Sequence, residues 1–207
     1  MSVSFLRRLR GRVNRVLFGF FQAPYLAACG KQALLRRPFR IDGAQFISLG
    51  SATVIQEGGW LYCCPEDEKS GRLVIGAGCV LGYNNHIASV KDVVIEDCVL
   101  TANNVYISDN VHSFDDVSTP IMHQKVRYKN RVLIREGSWI GENACIIGAS
   151  VGRNCVIGAN AVVTSDIPDY SVAVGAPAVV IKQYDHTTQQ WRKVANASSC
   201  QQKNVTE

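Results

Sequence analysis

No stretch of this 207-residue chain is long and apolar enough to cross a bilayer, which excludes a protein built on membrane-spanning helices. Its eight cysteines include no Cys-x-x-Cys pair, and Cys63 and Cys64 are adjacent, so the usual ligand spacing of a zinc site is missing. Cys79, Cys98, Cys145 and Cys155 stand where a small apolar residue would serve as well, and they read as buried thiols of a reducing compartment. Aromatic residues make up only 8% of the chain against 47% hydrophobic residues overall, so the core must be built from small aliphatic layers in one domain. Acidic residues are absent from residues 1–40, which hold nine Lys or Arg although the whole chain carries only +5. The basic residues are not interleaved with aromatic platforms outside the first helix, which argues against nucleic acid as a partner.

What the chain does have is a beat of six residues. Leu49, Ile55 and Leu61 share it with Ile75, Leu81 and Ile87, with Ile95, Thr101 and Ile107, with Ile134, Ile140 and Ile146, and with Val151, Ile157 and Val163. Small residues such as Gly76, Gly82, Ala102, Gly141, Gly152 and Gly158 come next. The period is neither 3.6 nor 2, so amphipathic helices and ordinary strands are excluded. Each hexad reads as one short strand plus a corner, three hexads close one coil, and stacked coils bury a continuous aliphatic column.

Interruptions to the beat must be loops thrown outward at the corners of such a prism. Two extra residues precede Ile95 and two precede Ile75, and the step from Ile146 to Val151 shortens to five. The large break, residues 108–131, reads as a long polar loop holding two of the four histidines.

Three segments follow: a basic helical extension at 1–40, the solenoid at 41–182, and a cap or tail at 183–207. Within Phe5 to Phe18, apolar Leu6, Leu9, Val13, Val16 and Leu17 fall near one helical face with arginines over much of the rest. This pattern suits a helix at an anionic membrane surface, or one that caps the open end of the solenoid. The run Val16 to Phe21 followed by Leu26-Ala27-Ala28-Cys29 imitates an export signal, but Gln22 and Pro24 interrupt it and we expect no cleavage. The sequons at Asn196 and Asn204 carry no weight in a cytoplasmic protein.

The segment Trp139-Ile140-Gly141-Glu142-Asn143 through Val156-Ile157-Gly158-Ala159-Asn160-Ala161-Val162-Val163-Thr164, continued by Asp166-Ile167-Pro168 and Val174-Gly175-Ala176-Pro177-Ala178, resembles the left-handed β-helix hexapeptide acyltransferases. The resemblance covers roughly residues 41–182 and is nearest to sugar and polysaccharide O-acetyltransferases, including the maltose, galactoside and xenobiotic enzymes. It implies a left-handed parallel β-helix, a homotrimer with active sites between subunits, acetyl-CoA as donor without a metal, and a free, nucleotide-linked or lipid-linked saccharide as acceptor.

In the resembling enzymes a histidine at the place of His112 is the catalytic base. Imidazole suits that task, since a hydroxyl attacking a thioester must lose its proton near neutral pH. Asp109, Asp115 and Asp116 are near enough in sequence to orient it. By the same resemblance Asn84 or Asn85 would bind the acceptor, with Asp109 and Asp115 close by. Trp139, Gly141, Ala159, Thr164 and Lys182 would line the donor path, the lysine near the CoA phosphates. His86 reads as a packed corner residue, so the three histidines of a zinc carbonic anhydrase on this solenoid are not present. After Gly175 the relatives usually have Asn-Pro-Ala and then Lys or Arg, whereas Ala176 and Val179 here remove a polar group and a charge. A non-catalytic β-helical scaffold and an antibiotic acetyltransferase are the alternatives.

Overall fold

Residues 3–65 and 71–194 are described by a computed structural model, with side chains from Gly11 onward. The chain opens with helix α1 (Val3–Phe21) and a 3-10 turn at Ala23–Tyr25. Pro24 has no N–H to donate to the Phe20 carbonyl, so the α-helix cannot continue through it. Phe18 and Leu26 then join the apolar cluster that contains Leu34 and Leu35, tying α1 to the start of the solenoid.

From Ala28 the chain visits three sheets in rotation, and each circuit pairs in parallel with the one before. The first face stacks Ala28–Cys29, Ile47–Leu49, Arg72–Ile75, Asp92–Ile95 and Val132–Ile134; the second starts at Leu34–Leu35 and the third at Arg40–Asp42. The six-residue beat is the register of these sheets. Leu49, Ile75, Ile95, Ile134, Val151 and Ile167 stand opposite one another on the first face. Leu61, Ile87, Ile107, Ile146 and Val163 do so on the third. All of these side chains are buried, each worth roughly 1.5–3 kcal/mol when fully withdrawn from water. The beat also reaches one circuit further back than Leu49, through Cys29, Leu35 and Ile41.

Four residues separate successive named strands at every first-to-second and second-to-third corner. Left-handed backbone recurs there, at Ala52, Cys98 and Asn154 on one edge and at Asn84, Asn104, Asn143 and Asn160 on the other. The third-to-first corner is different: it spans two residues at Val90 and Lys91 but twenty-three at 109–131. Residues 64–71 lie on the same corner, with 66–70 outside the described residues.

The parallel stack finishes at Ser171–Val174, where Val179–Asp185 turns back antiparallel and Gln190–Lys193 pairs outside it. Residues 183–193 therefore form a hairpin of two strands about a turn at 186–189, whereas 195–207, with Asn196 and Asn204, lie outside the described residues. Cys63, Cys79 and Cys155 are buried, but Cys98, expected inside, is exposed because its corner φ of 58° turns it outward. Among the described residues no helix is long and apolar enough to cross a membrane.

Candidate active site

The long insertion leaves the third corner immediately after the strand Tyr106–Ser108, and its first residue anchors it. Asp109 is completely buried. Its Oδ2 accepts from the backbone N–H of Lys91 and of Asp92, both at 2.8 Å, and its Oδ1 from that of Val90 at 2.9 Å. The Ser89 hydroxyl and the Asn110 amide donate to the same carboxylate at 3.3 and 2.9 Å. The tight Ser89–Asp92 turn of the previous circuit is thus closed on this side chain. The Asp109 carbonyl in turn accepts the Lys129 amide at 2.7 Å, so both ends of the insertion meet at one residue.

Between those ends the loop folds into a hairpin, Asn110–His112 against Val126–Tyr128, with His112 opposite Val126. The His112 side chain is exposed and accepts or donates no hydrogen bond among the described residues. The hairpin is braced from outside. The Lys91 ammonium lies 4.9 Å from the centre of the Tyr128 ring, the Arg127 guanidinium 5.2 Å from that of Phe114, and Arg127 also pairs with Asp115 at 3.7 Å. A cleft of about 430 Å³ opens beside it, lined by Val111, Phe114, Arg127, Tyr128 and Lys129.

The acids expected to orient His112 are engaged elsewhere. Asp116 accepts from the Ser118 amide and hydroxyl and from the Thr119 hydroxyl, and these bonds hold its pKa down to about 2. It fastens the tip of the loop. Asp115 faces Arg127. The expectation that Asp109 touches an acceptor is corrected by its burial: its carboxylate is engaged by the corner, and its carbonyl fastens the hairpin that carries His112.

Asn84 and Asn85 part company at the second-to-third corner. Asn84 takes the left-handed backbone at φ 55°, is exposed, and donates to Asn104 at 3.4 Å. Asn85 turns into the core, where its carbonyl accepts the Val105 amide at 2.7 Å and its amide donates to the Thr101 hydroxyl. Thr101 also accepts the Gly82 amide at 3.1 Å. Asn85 is therefore a structural residue and an acceptor cannot reach it. The signal was in the beat, since Thr101 is its single polar member and a buried hydroxyl needs a partner.

His86 belongs to an outward column on the third face, stacked on Trp60 with centroids 4.1 Å apart and tilted against Tyr106 at 5.1 Å. Burial in this column pushes its imidazole pKa down. Its place is that of a packed residue. Among the described residues no group of three His, Cys, Asp or Glu could hold a metal ion.

The donor-side residues are spread around the prism. Trp139 is half exposed on the second face beside Leu100 and Val156, and exposed Lys182 lies on the antiparallel strand against Val172 of that face. Gly141 and exposed Ala159 sit at the second-to-third corner, Thr164 just past the third face. At Gly141 a β-carbon would come within 2.6 Å of the Ala159 nitrogen, so this glycine permits close stacking of two circuits. The third-to-first corner that carries His112 is the edge opposite the second face. One chain therefore brings Thr164 and His112 to one edge and holds Trp139 and Lys182 away from them.

Comparison with known proteins matches residues 132–165 to a family model described as a hexapeptide repeat of succinyl-transferase. The chain is 35% identical over 151 residues to the galactoside O-acetyltransferase of Escherichia coli (strain K12), covering 70% of this chain and 71% of that protein. It is 39% identical over 115 residues to the putative lipopolysaccharide biosynthesis O-acetyl transferase WbbJ of the same strain, covering 52% and 59%. Among solved structures it resembles AntD, an N-acyltransferase from Bacillus cereus in complex with dTDP and 3-hydroxybutyryl-CoA. The TM-score is 0.67 at 17% identity, over 80% of this chain and 87% of that one, a likeness of fold. The chain spans 37%, 59% and 56% of the lengths of the first three curated relatives it matches.

Proposed function

Since the chain belongs to the hexapeptide-repeat acyltransferase family, we infer that it moves the acetyl group of acetyl-CoA to a sugar hydroxyl in the assembly of a surface polysaccharide. The observation that carries this reading is His112, exposed on a hairpin whose two ends are locked to the buried Asp109. The acetyl group and the class of acceptor rest on the O-acetyltransferase names of the relatives, and the CoA thioester on the solved neighbour.

In the proposed reaction the His112 imidazole removes the proton of the acceptor hydroxyl as its oxygen attacks the thioester carbonyl. A backbone amide holds the tetrahedral oxyanion. The C–S bond then breaks, the imidazolium returns its proton to the departing thiolate, and acetylated sugar and free CoA leave. No covalent enzyme intermediate is formed.

The coils wind left-handed in this reading, and three chains assemble with the active sites between them. The separation of His112 from Trp139 and Lys182 supports that arrangement, because the second face of one subunit can approach the His112 edge of the next. Trp139, Ala159, Thr164 and Lys182 then border the donor, Gly141 offering backbone alone, while Asn84 and Asp115 face the acceptor. The reaction runs in the cytoplasm, where the acetyl-CoA pool is.

Acetyl transfer followed by mass spectrometry, wild type beside His112→Ala, tests the reading with free, nucleotide-linked and lipid-linked sugars and chloramphenicol as acceptors. Acetylated sugar at a rate at least about a hundredfold lower in the variant is the expected result. Equal rates remove His112 from the mechanism. Product with chloramphenicol alone moves the assignment to antibiotic acetylation, and no product with any acceptor favours a binding scaffold.

A further inference from the structure

We propose that α1 docks on the surface of an anionic lipid bilayer. In an amphipathic helix of a soluble protein the apolar residues at i, i+3, i+4, i+7 and i+8 ordinarily turn toward the core. Here Val13, Val16, Leu17, Phe20 and Phe21 have that spacing, and every one is exposed, Phe20 to 75% and Phe21 to 69%. The side of α1 that meets the solenoid is a different one, centred on Phe18, which is only 4% exposed, with Asn14 half-buried one turn before it. Capping the coil thus uses one phenylalanine and leaves the helix's principal apolar stripe facing away from the protein. A contiguous exposed stripe of this kind marks an interaction surface.

The charge around the stripe selects the occupant. Exposed Arg12 borders it beside Val16 and exposed Arg15 lies further round the helix, the sequence of α1 adds Arg7, Arg8 and Arg10, and no acid occurs in residues 1–40. A second copy of α1 would set arginines against arginines with no carboxylate between them. The stripe itself offers no polar group by which a protein partner could fix its register. Bulky apolar side chains with arginines along the flank are instead what the boundary between acyl chains and anionic headgroups accepts. The inference is independent of the chemistry assigned to His112, and it gives a lipid-linked acceptor a surface on which to meet the enzyme.

Co-sedimentation of the full chain with vesicles of phosphatidylcholine alone, and with phosphatidylglycerol added, tests this at low and high salt. The wild type should bind the anionic vesicles and release as salt rises. Phe20→Ser/Phe21→Ser and Arg12→Gln/Arg15→Gln should each weaken that binding about tenfold or more with unchanged thermal midpoints, since none of these side chains enters the core. Absence of binding, equal binding to phosphatidylcholine alone, or wild-type binding by both variants overturns the proposal. So does a Phe20→Ser/Phe21→Ser variant that reduces the size of the particle in light scattering, which assigns the stripe to a second copy.

Discussion

Asp109→Asn keeps the outline of a buried side chain and halves its capacity to accept. The carboxylate receives five donors, three of them backbone amides of the Val90, Lys91 and Asp92 turn. An asparagine has one acceptor oxygen. Turned one way it keeps Lys91 and Asp92 and faces its own N–H groups toward Val90; turned the other way it orphans two amides instead of one. Each buried donor left unpaired costs about 1–3 kcal/mol, and bonds to a charged acceptor become weaker neutral ones, so we expect a loss of about 2–4 kcal/mol. For a chain of this size that is a fall of roughly 5–15 °C in thermal midpoint. Calorimetry and chemical denaturation would read the stability, and acetyl transfer by mass spectrometry the function. Because the hairpin is hung from the same residue, kcat should drop more than KM rises. A midpoint within about 1 °C of wild type, with full activity, would refute the account of Asp109 as the anchor.

Gly141→Ala should destabilise the fold by about 1–3 kcal/mol, because the new methyl meets the Ala159 backbone and not a side chain that could swing away; an unchanged denaturation midpoint contradicts the close stacking described. Trp139→Ala, at a half-exposed side chain, should leave stability nearly unaltered and raise KM for acetyl-CoA, and an unaffected KM takes Trp139 out of the donor path. Burial lowers the His86 pKa below its ordinary 6.5, so the unfolded chain takes up that proton first. Stability from this group is complete above 6.5 and declines as pH falls through 6.5 toward the folded value. Denaturation midpoints measured through that window should show a smaller acid-side slope for His86→Phe than for wild type; equal slopes rule His86 out as the cause.

The aliphatic register was legible because inward positions on a three-faced coil recur every six residues whatever else the chain does. The beat does not distinguish Asn84 from Asn85; in the structure Asn84 takes the corner, with a φ of 55° that a short polar side chain tolerates. The first circuit is masked in the sequence because Cys29, Leu35 and Ile41 follow an arginine-rich helical segment and an eight-residue step separates them from the next circuit at Leu49. The hairpin at 110–128 has no signature in the sequence, since strands of three residues carry no periodicity and the pairing partner lies across the insertion. Asp109 could not be told from Asp115 or Asp116 by spacing: what buries it is a turn made by Val90 to Asp92 in the preceding circuit. Proximity between circuits, rather than along the chain, separates the anchor from its solvated neighbours.

The unequal corners make this scaffold tolerant of change along one seam. At two edges the step between named strands is constant, whereas the third edge already accommodates steps from two residues to twenty-three without disturbing the column inside. Lengthening a surface segment costs chain entropy that grows only slowly with length. Segment 110–131 can therefore be exchanged for one from a relative with Asp109 kept as the fixed joint, and on the proposed reading acceptor preference should move with it while the frame stays unaltered.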